Sequence, residues 1–406
     1  MLNNPYSLFS VYGIEIEYMI VNKDTLDVLP ICDKLLFSLD HTESNEVSLG
    51  KIAASNELAL HVIELKTNGP TESLEKLDEL FHQALHKMQP ILKENNAVLM
   101  PTGMHPWFNP EGGFCLWPHG DKTIYNTYHR IFNCSGHGWS NLQSTHINLP
   151  FATDEEFAKL HSAIRFILPI IPAFTASTPF MHGQLTKAKD TRLEFYGKNQ
   201  KAIPKIAGEI IPEFVTSEEE YEKEILLPMY ESIHSHDPDK VLQEEWLNSR
   251  GAIARFDRSA IEIRVMDSQE CPKADIACVN LITTVIRYLV ENQPALVSDP
   301  MNTTALKTIY ISCIEKGMDT GVDNSYYLEA LGYTLEKSVS AHKIWSDLFA
   351  KVRNQISQPY QSVIETILEE GSLSERLLNA YHKGRGMREI YQKLCDCLNK
   401  NELFHA

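Results

Sequence analysis

Gly13-Ile14-Glu15-Ile16-Glu17-Tyr18 alternates apolar and acidic residues near the start of this 406-residue chain. In a β-strand, successive side chains point to opposite faces, so Glu15 and Glu17 share one face and Ile14 and Ile16 the other. Same-face neighbours are about 7 Å apart, at a rise of about 3.3 Å per residue. That spacing suits two carboxylates that hold adjacent hard cations. A strand with its glutamates in water is the alternative for this segment alone.

Three further predicted strands carry polar side chains on one face amid apolar neighbours: Glu262 and Arg264 within 260–267, His146 and Asn148 within 143–149, and Glu64 within 58–67. With the strands predicted for 11–22 and 97–104, they indicate a sheet with an apolar back and a polar front. A front of glutamates with one histidine favours Mg²⁺ or Mn²⁺ over zinc, which prefers nitrogen and sulfur ligands.

Helical patterns lie between these strands and predominate in the last third of the chain. Apolar residues recur at helical spacing over 74–91, and an acidic helix is predicted from about Ser217. Two capping-box pairs, Thr153 with Glu156 and Ser372 with Glu375, predict helix starts. From about 275 to 406 the pattern is almost wholly helical. We therefore expect an α+β fold with an antiparallel or mixed sheet and a helical C-terminal third, in one domain over 1–406.

The composition excludes several classes of protein. The chain has 37 Lys+Arg against 54 Asp+Glu, a formal charge of −17, which argues against nucleic-acid or anionic-membrane partners. The N-terminus lacks the pattern of a signal peptide, and no uncharged apolar stretch approaches 18 residues, so we expect no transmembrane helix. The eight cysteines form no zinc pattern and are sparse, which is typical of a reduced cytoplasmic enzyme.

Phosphate groups would have to be held by metal ions and a few arginines. Neither GxxxxGK[ST] nor GxGxxG is present, so P-loop and Rossmann nucleotide binding are not expected. Arginine forks match carboxylate and phosphate geometry, and the candidates are Arg192, Arg255, Arg258 and Arg264. Taken singly, each of the first three is more often an ordinary surface charge, whereas Arg264 has apolar strand neighbours and shares its strand face with Glu262.

Several motifs follow one another in a recognisable order: Gly13-Ile-Glu-Ile-Glu17, Glu57 to Thr67, Gly103-Met-His-Pro106, Ser144-Thr-His146-Ile-Asn148, Ala176-Ser-Thr-Pro-Phe180 with Gly183 and Arg192, and Ala260-Ile-Glu262-Ile-Arg264-Val-Met-Asp267. In this order and spacing the chain, over about residues 11–270, resembles the bacterial and plant-type glutamate–cysteine ligase family, including its carboxylate–amine ligase branch.

The resemblance implies a catalytic domain like that of glutamine synthetase, with a curved antiparallel sheet forming a funnel. It implies ATP and two or three Mg²⁺ ions (or Mn²⁺), with metal ligands Glu15, Glu17, Glu57, Glu64, His146 and Glu262. Arg192 and Arg264 would be the catalytic cations, and Arg255, Arg258 and Asn148 would contact the nucleotide. The implied reaction joins the γ-carboxylate of glutamate to cysteine through γ-glutamyl phosphate, as in glutathione biosynthesis.

Two departures from the family pattern concern the acceptor amine. Asn148 stands where a second histidine is common, and the loop from Lys187 to Arg192 is altered. Three alternatives therefore stay open: a ligase of the same fold with another carboxylate or amine, a metal-dependent hydrolase, and a non-catalytic binding protein. The predicted partners are small molecules, and the sequence is compatible with a homo-oligomer without specifying one.

Overall fold

The structure, a computed structural model, describes residues 6–42, 44–120, 122–298 and 300–406. Its strands, numbered along the chain, are β1 Gly13–Asn22, β2 Glu46–Ser48, β3 Ile52–Asn56, β4 Val62–Thr67, β5 Ala97–Met100, β6 Ser144–Pro150, β7 Phe180–Met181, β8 Gln184–Leu185, β9 Ala252–Arg255, β10 Ala260–Asp267, β11 Gly321–Val322 and β12 Val339–Ser340.

The α-helices are α1 Cys32–Asp40, α2 Leu77–Glu94, α3 Pro110–Gly113, α4 Lys122–Phe132, α5 His137–Ser140, α6 Asp154–Ile167, α7 Ile171–Thr175, α8 Thr191–Tyr196, α9 Glu218–Tyr221, α10 Leu227–Ile233, α11 Pro272–Asn292, α12 Ala295–Ser298, α13 Thr303–Lys316, α14 Ser325–Leu331, α15 Ala341–Val352, α16 Gln358–Glu370, α17 Leu373–His382 and α18 Met387–Lys400. Short 3₁₀ turns occupy Leu168–Ile170, Pro204–Ile206, Glu245–Leu247, Gly317–Asp319 and Arg353–Gln355, and a π-helical turn occupies Glu222–Leu226.

Eight strands form one antiparallel sheet in the order β2-β3-β4-β1-β6-β10-β9, and β5 pairs with the second half of β1. Because β1 is ten residues long, it pairs with β6 over its first half and with β5 over its second half, along the same edge. The predicted α+β class, antiparallel sheet and helical C-terminal part are confirmed.

The alternation along β1 divides the sheet into an apolar back and a polar front. On the back, Ile14 pairs with Ile147 and Ile16 with Leu65, and all four are fully buried in the core. The register of strands β4, β6 and β10 continues this division, so that apolar side chains of each strand add to the same core cluster.

Helices cover the apolar back of the sheet. Helix α11 contacts α2, α6, α15 and α16, and its buried residues belong to one core cluster that extends from Ile14 to Leu398. A second cluster joins α17 and α18 to the end of β1 and to β5 through residues such as Met19, Met100 and Ile390. The C-terminal helices therefore pack directly on the strands that carry the polar face.

One helical run among the described residues, Asp154–Thr175, is long and apolar enough to span a membrane by length and composition. Its most apolar window is 94% buried inside the protein, where it packs as a core helix. Thr153 caps this run by accepting a hydrogen bond from the Glu156 amide, although the Glu156 carboxylate accepts from Ala152 rather than closing a capping box. The box predicted at Ser372 and Glu375 is complete.

Sequence patterns placed some strand ends wrongly and missed three strands of the main sheet. Strand β10 has the predicted limits, whereas β4 begins only at Val62 and β5 ends at Met100. Strands β2, β3 and β9 were not predicted, because they are three to five residues long and too short to show a clear period.

Candidate active site

A pocket of about 950 Å³ opens on the polar face of the sheet. All eleven residues predicted for the site line it: Glu15, Glu17, Glu57, Glu64, His146, Asn148, Arg192, Arg255, Arg258, Glu262 and Arg264. They come from segments up to 250 positions apart, so the sheet topology is what brings them together. Their individual roles stay predictions.

The centre of the pocket is a cluster of carboxylates around His146. Its Nδ1 lies 3.0 Å from Glu15 Oε2 and 3.8 Å from Glu262 Oε1, and its Nε2 lies 4.0 Å from Glu17 Oε1. The pairing explains this proximity, because β6 places His146 opposite Glu15 and Asn148 opposite Glu262. One ligand atom from each of Glu15, His146 and Glu262 fits within 4.8 Å of the others, as in a metal site.

Glu15 and His146 form a charged pair in this cluster. Burial disfavours ionisation of both, but the hydrogen bond and charge of His146 outweigh it and lower the pKa of Glu15 to about 2. Burial likewise opposes protonation of His146, while Glu15, Glu262 and Glu17 raise its pKa to about 9. A protonated imidazole therefore neutralises part of the cluster when no metal ion does so.

Glu17 on β1, and Glu57 and Glu64 toward the neighbouring strand β4, have the opposite tendency. Burial, followed by the charge of neighbouring glutamates, raises the pKa of Glu17 to about 7 and those of Glu57 and Glu64 to about 8. Hydrogen bonds orient two of them: Ser144 N–H donates to Glu17 Oε2 at 3.0 Å, and the Ser55 hydroxyl donates to Glu64 Oε2 at 2.5 Å. A cation bound beside these carboxyls would favour their ionised forms and lower their pKa values.

The donor set fits a hard divalent cation. Five glutamates and one imidazole offer mainly oxygen ligands, as Mg²⁺ and Mn²⁺ prefer, and none of the eight cysteines lines the pocket. The cysteines are free thiols, and seven of them are buried.

Two arginines stand beside the carboxylates at one end of the pocket. Arg264 Nε lies 2.5 Å from Glu262 Oε1, two residues away on β10. Arg192 is 1% exposed, its Nε donates to Asp267 and its Nη2 donates to the carbonyl of Arg264 at 3.2 Å. Gly103 leaves room for this pair, since a Cβ there would lie 2.7 Å from Asp267 Cγ.

Of the residues predicted to contact the nucleotide, the two arginines lie at the turn before β10, whereas Asn148 lies in the carboxylate cluster. Arg255 ends β9 and Arg258 lies in the turn that leads to β10; Arg255 is 7% exposed and pairs with Asp257 at 3.0 Å, whereas the Arg258 side chain is mostly exposed. Asn148 donates to Glu15 Oε1 at 3.1 Å. Gly13 lies opposite Asn148, and a Cβ at Gly13 would lie 3.0 Å from Asn148 Cβ.

Sequence reasoning missed one side of the pocket. We call it the aromatic wall, and its eleven residues are Ile124, Tyr125, Tyr128, Gly138, Trp139, Leu142, Tyr196, Asn199, Gln200, Trp246 and Ser249. They lie on helices α4, α5 and α8 and on the loops that follow α5, follow α8 and precede β9. Residues on separate short helices and loops share no period, so the sequence gives no signal that they meet.

Comparisons with known proteins identify the family of this chain. A family model described as glutamate–cysteine ligase family 2 (GCS2) matches residues 11–396. An uncharacterised protein of Archaeoglobus fulgidus is 34% identical over 396 residues, which cover 97% of this chain and 99% of that protein.

Solved structures add a likeness of fold. Glutamate–cysteine ligase of Francisella tularensis, solved with AMP, aligns with a TM-score of 0.63 at 10% identity, covering 96% of this chain and 88% of that one. The ligase PafA, in complex with the ubiquitin-like protein Pup, aligns at a TM-score of only 0.45 and 12% identity. The family match over nearly the whole chain is the decisive finding. The chain therefore belongs to glutamate–cysteine ligase family 2, a family of carboxylate–amine ligases.

Proposed function

We propose that this protein is an ATP- and Mg²⁺-dependent ligase that joins the γ-carboxylate of glutamate to an amine, cysteine or a related one, through an acyl-phosphate. The observation that carries the proposal is the order along β10 and the turn before it: Arg258 first, then Glu262 in the carboxylate cluster, then Arg264. Arg258 and Arg264 thus place positive charge at two positions along the carboxylate cluster, where it can stabilise the charge of a transferred phosphoryl group.

The carboxylate cluster would hold the metal. Glu15, His146 and Glu262 offer ligand atoms that already lie together, and Glu17, Glu57 and Glu64 surround them on the same face. Bound Mg²⁺ would supply charge neutralisation at the phosphate oxygens. To act as a ligand, His146 gives up the proton that Glu15 and Glu262 stabilise, so metal binding and deprotonation are linked.

The two arginines beside the cluster would stabilise negative charge on the reacting groups. Arg264 lies next to Glu262, and its guanidinium can contact charge that develops on the transferred phosphoryl group. Arg192 is held by Asp267 and by the Arg264 carbonyl, so it adds positive charge at a fixed position. No protein nucleophile is needed, because ATP activates the carboxylate and the amine attacks it.

The test is ATP turnover with Mg²⁺ by the purified protein. Phosphate release would be measured with glutamate and other carboxylates, each alone and with cysteine and other amines, and again with Glu262→Ala. Release that needs both a carboxylate and an amine and disappears in the variant supports the ligase. Hydrolysis of amides or esters without ATP, lost in the same variant, would indicate a metal-dependent hydrolase instead.

A further inference from the structure

A second cavity, of about 360 Å³, lies where helix α11 meets the segment before β1 and the loop after β4. We call it the α11 cavity, and the lining residues that matter for its chemistry are Tyr12, Glu72, Glu75, Asn280, Thr284 and Arg287. It shares no lining residue with the pocket on the sheet. Its volume is within the range of small-molecule sites, about 300–1,000 Å³.

The α11 cavity and the pocket on the sheet adjoin the same two segments. Tyr12 and Thr71 exchange two backbone hydrogen bonds, each of 2.8 Å. Their chain neighbours Gly13 and Pro70 line the pocket on the sheet, whereas Tyr12 and Glu72 line the α11 cavity. An experiment on the α11 cavity must therefore distinguish it from the pocket nearby.

Arg287 supplies positive charge to the α11 cavity. Its side chain is half-buried, and its Nη2 donates to the Tyr12 hydroxyl at 2.9 Å and to the Phe9 carbonyl at 3.3 Å. The guanidinium carbon lies 4.9 Å from the centroid of the Phe9 ring. Within the described part of the chain, Arg287 pairs with no carboxylate. Phe9 and Tyr12 hold the guanidinium, and its Nε and Nη1 remain to bind a carboxylate.

The other polar side chains of the cavity offer mainly acceptor oxygens. Asn280 Nδ2 donates to the Ile276 carbonyl at 2.9 Å, and the Thr284 hydroxyl donates to the Asn280 carbonyl at 2.6 Å. Because both bonds lie within α11, Asn280 Oδ1 and Thr284 Oγ1 remain as acceptors. Glu72 and Glu75 add two carboxylates that form no ion pair with any described residue. Acceptors of this kind suit an ammonium group, which has three donors and no acceptor.

We infer that the α11 cavity is a second binding site, for a small α-amino acid whose carboxylate lies on Arg287 and whose ammonium lies among the acceptors. Charges of both signs line one cavity without pairing with each other, so a zwitterion can satisfy both. Thr284 and Arg287 are three positions apart on one face of α11, with Cβ atoms about 5–6 Å apart, so the two charges of the ligand must be close together. An anion alone would face two glutamates, and an amine alone would face the arginine. The inference does not rest on the proposed ligase reaction.

The test is direct binding of glycine, L-serine and L-glutamine to the full chain, without ATP or Mg²⁺, by saturation-transfer NMR. Acetate and ethylamine are the matched compounds with one charge. We expect at least one amino acid to bind at least about tenfold more tightly than either, and equally well to Glu262→Ala, which alters only the pocket on the sheet. No binding of any amino acid, binding no tighter than that of acetate, or binding lost in Glu262→Ala would each overturn the inference.

Variants of the cavity locate the two charges of the ligand. Arg287→Met keeps an unbranched side chain and removes the charge, so affinity should fall at least about tenfold. Glu72→Gln combined with Glu75→Gln changes only exposed side chains, so the fold is kept, and affinity should fall about three- to fivefold. Arg353→Met is the matched control, because Arg353 also lies over a phenylalanine ring but does not line the cavity.

Unchanged affinity in Arg287→Met, or an equal loss in Arg353→Met, would overturn the inference. A loss in Arg287→Met with no change in the glutamate variant would indicate a site for anions and would also overturn it.

Discussion

Nδ1 of His146 lies 3.0 Å from Oε2 of Glu15, and the two residues are directly paired across β6 and β1. His146 is the only histidine among the described pocket-lining residues. The contact joins it to β1, the strand that contributes Glu15 and Glu17 to the pocket. Without a metal, the pair is a buried ion pair that holds both side chains in place. The same two atoms would bind a cation once the imidazole is neutral.

His146→Gln should weaken divalent-metal binding. Glutamine keeps a polar side chain of similar reach but lacks the imidazole nitrogen, so the cluster loses one ligand and the partner of Glu15. We expect at least about a tenfold loss of Mn²⁺ affinity, measured by electron paramagnetic resonance. His86→Gln, on the exposed face of α2, is the control and should bind as the wild type does. Equal affinity in both variants would remove His146 from the metal site.

The polar front of the sheet could be predicted from the sequence because strand periodicity is local. Once Ile14 and Ile16 are assigned to the core, Glu15 and Glu17 must face the other way. The same reasoning holds for Glu262 on β10. That argument needs no knowledge of which strands are neighbours, and it accounts for the polar-face residues Glu15, Glu17, Glu64, His146, Asn148, Glu262 and Arg264. The other four predicted residues, Glu57, Arg192, Arg255 and Arg258, lie outside those strands, and their site roles came only from the family resemblance, although they line the same pocket.

What could not be predicted depends on contacts between distant segments. Ser55 orients Glu64, but it lies on β3, a strand of mostly small residues without a visible period. Asp267 was recognised only as the end of a motif, because its partner Arg192 precedes it by 75 positions. The aromatic wall combines residues of four separate segments, so only the folded chain shows that its rings meet.

Asp275 should make stability depend on pH. It is fully buried in the first turn of α11, Thr145 and the Gln269 amide donate to its Oδ1, and burial raises its pKa to about 8. A raised pKa in the folded state gives stability that is complete below the unfolded value, about 3.9, and lost as pH rises through about 8. Asp275→Asn mimics the neutral form, so it should be increasingly more stable than wild type between pH 5.5 and 8.5.

Urea denaturation of the two proteins at pH 5.5, 7.0 and 8.5 checks this expectation. The difference in free energy of unfolding between them is the quantity of interest, because it removes the contribution of all other titrating groups. Asp396→Asn, at an exposed position of α18, is the control and should show a difference that does not change with pH. A constant difference for Asp275→Asn as well would mean that Asp275 is ionised in the folded protein throughout.

Asp267→Asn should destabilise the protein strongly. Asp267 accepts from Arg192, from the Ser177 amide at 2.8 Å and from the Thr178 hydroxyl at 3.1 Å, and it is fully buried. Loss of its charge leaves Arg192 buried without a compensating anion other than the neighbouring Asp190, and burial raises the pKa of that carboxyl well above its usual range. We expect a loss of about 3–5 kcal/mol in free energy of unfolding, measured by urea denaturation.

A double variant distinguishes the ion pair from general damage to the core. Asp267→Asn with Arg192→Met removes both charges, and its loss should be smaller than the sum of the two single losses. Lys198→Met breaks an exposed pair with Glu194 on the surface and should change stability by no more than about 0.5 kcal/mol. Additive losses in the double variant would mean that the Arg192–Asp267 pair contributes no coupling.

Arg255→Ala should raise the KM for ATP by about tenfold, and Arg258→Ala by much less. The Arg255 side chain is 8% exposed and fixed by Asp257 at 3.0 Å, so its charge acts in a partly desolvated site. Its removal also takes away the paired cation of Glu245, and leaves Asp257 with only the exposed Arg258. Arg258 is 60% exposed and its charge is screened by salt.

Arg388→Ala, at a similarly exposed arginine far along the chain, provides the control for unspecific loss of charge. Equal KM values in Arg255→Ala and Arg388→Ala would place the nucleotide away from the β9–β10 turn, and the pocket would then have to bind it from the Arg264 end.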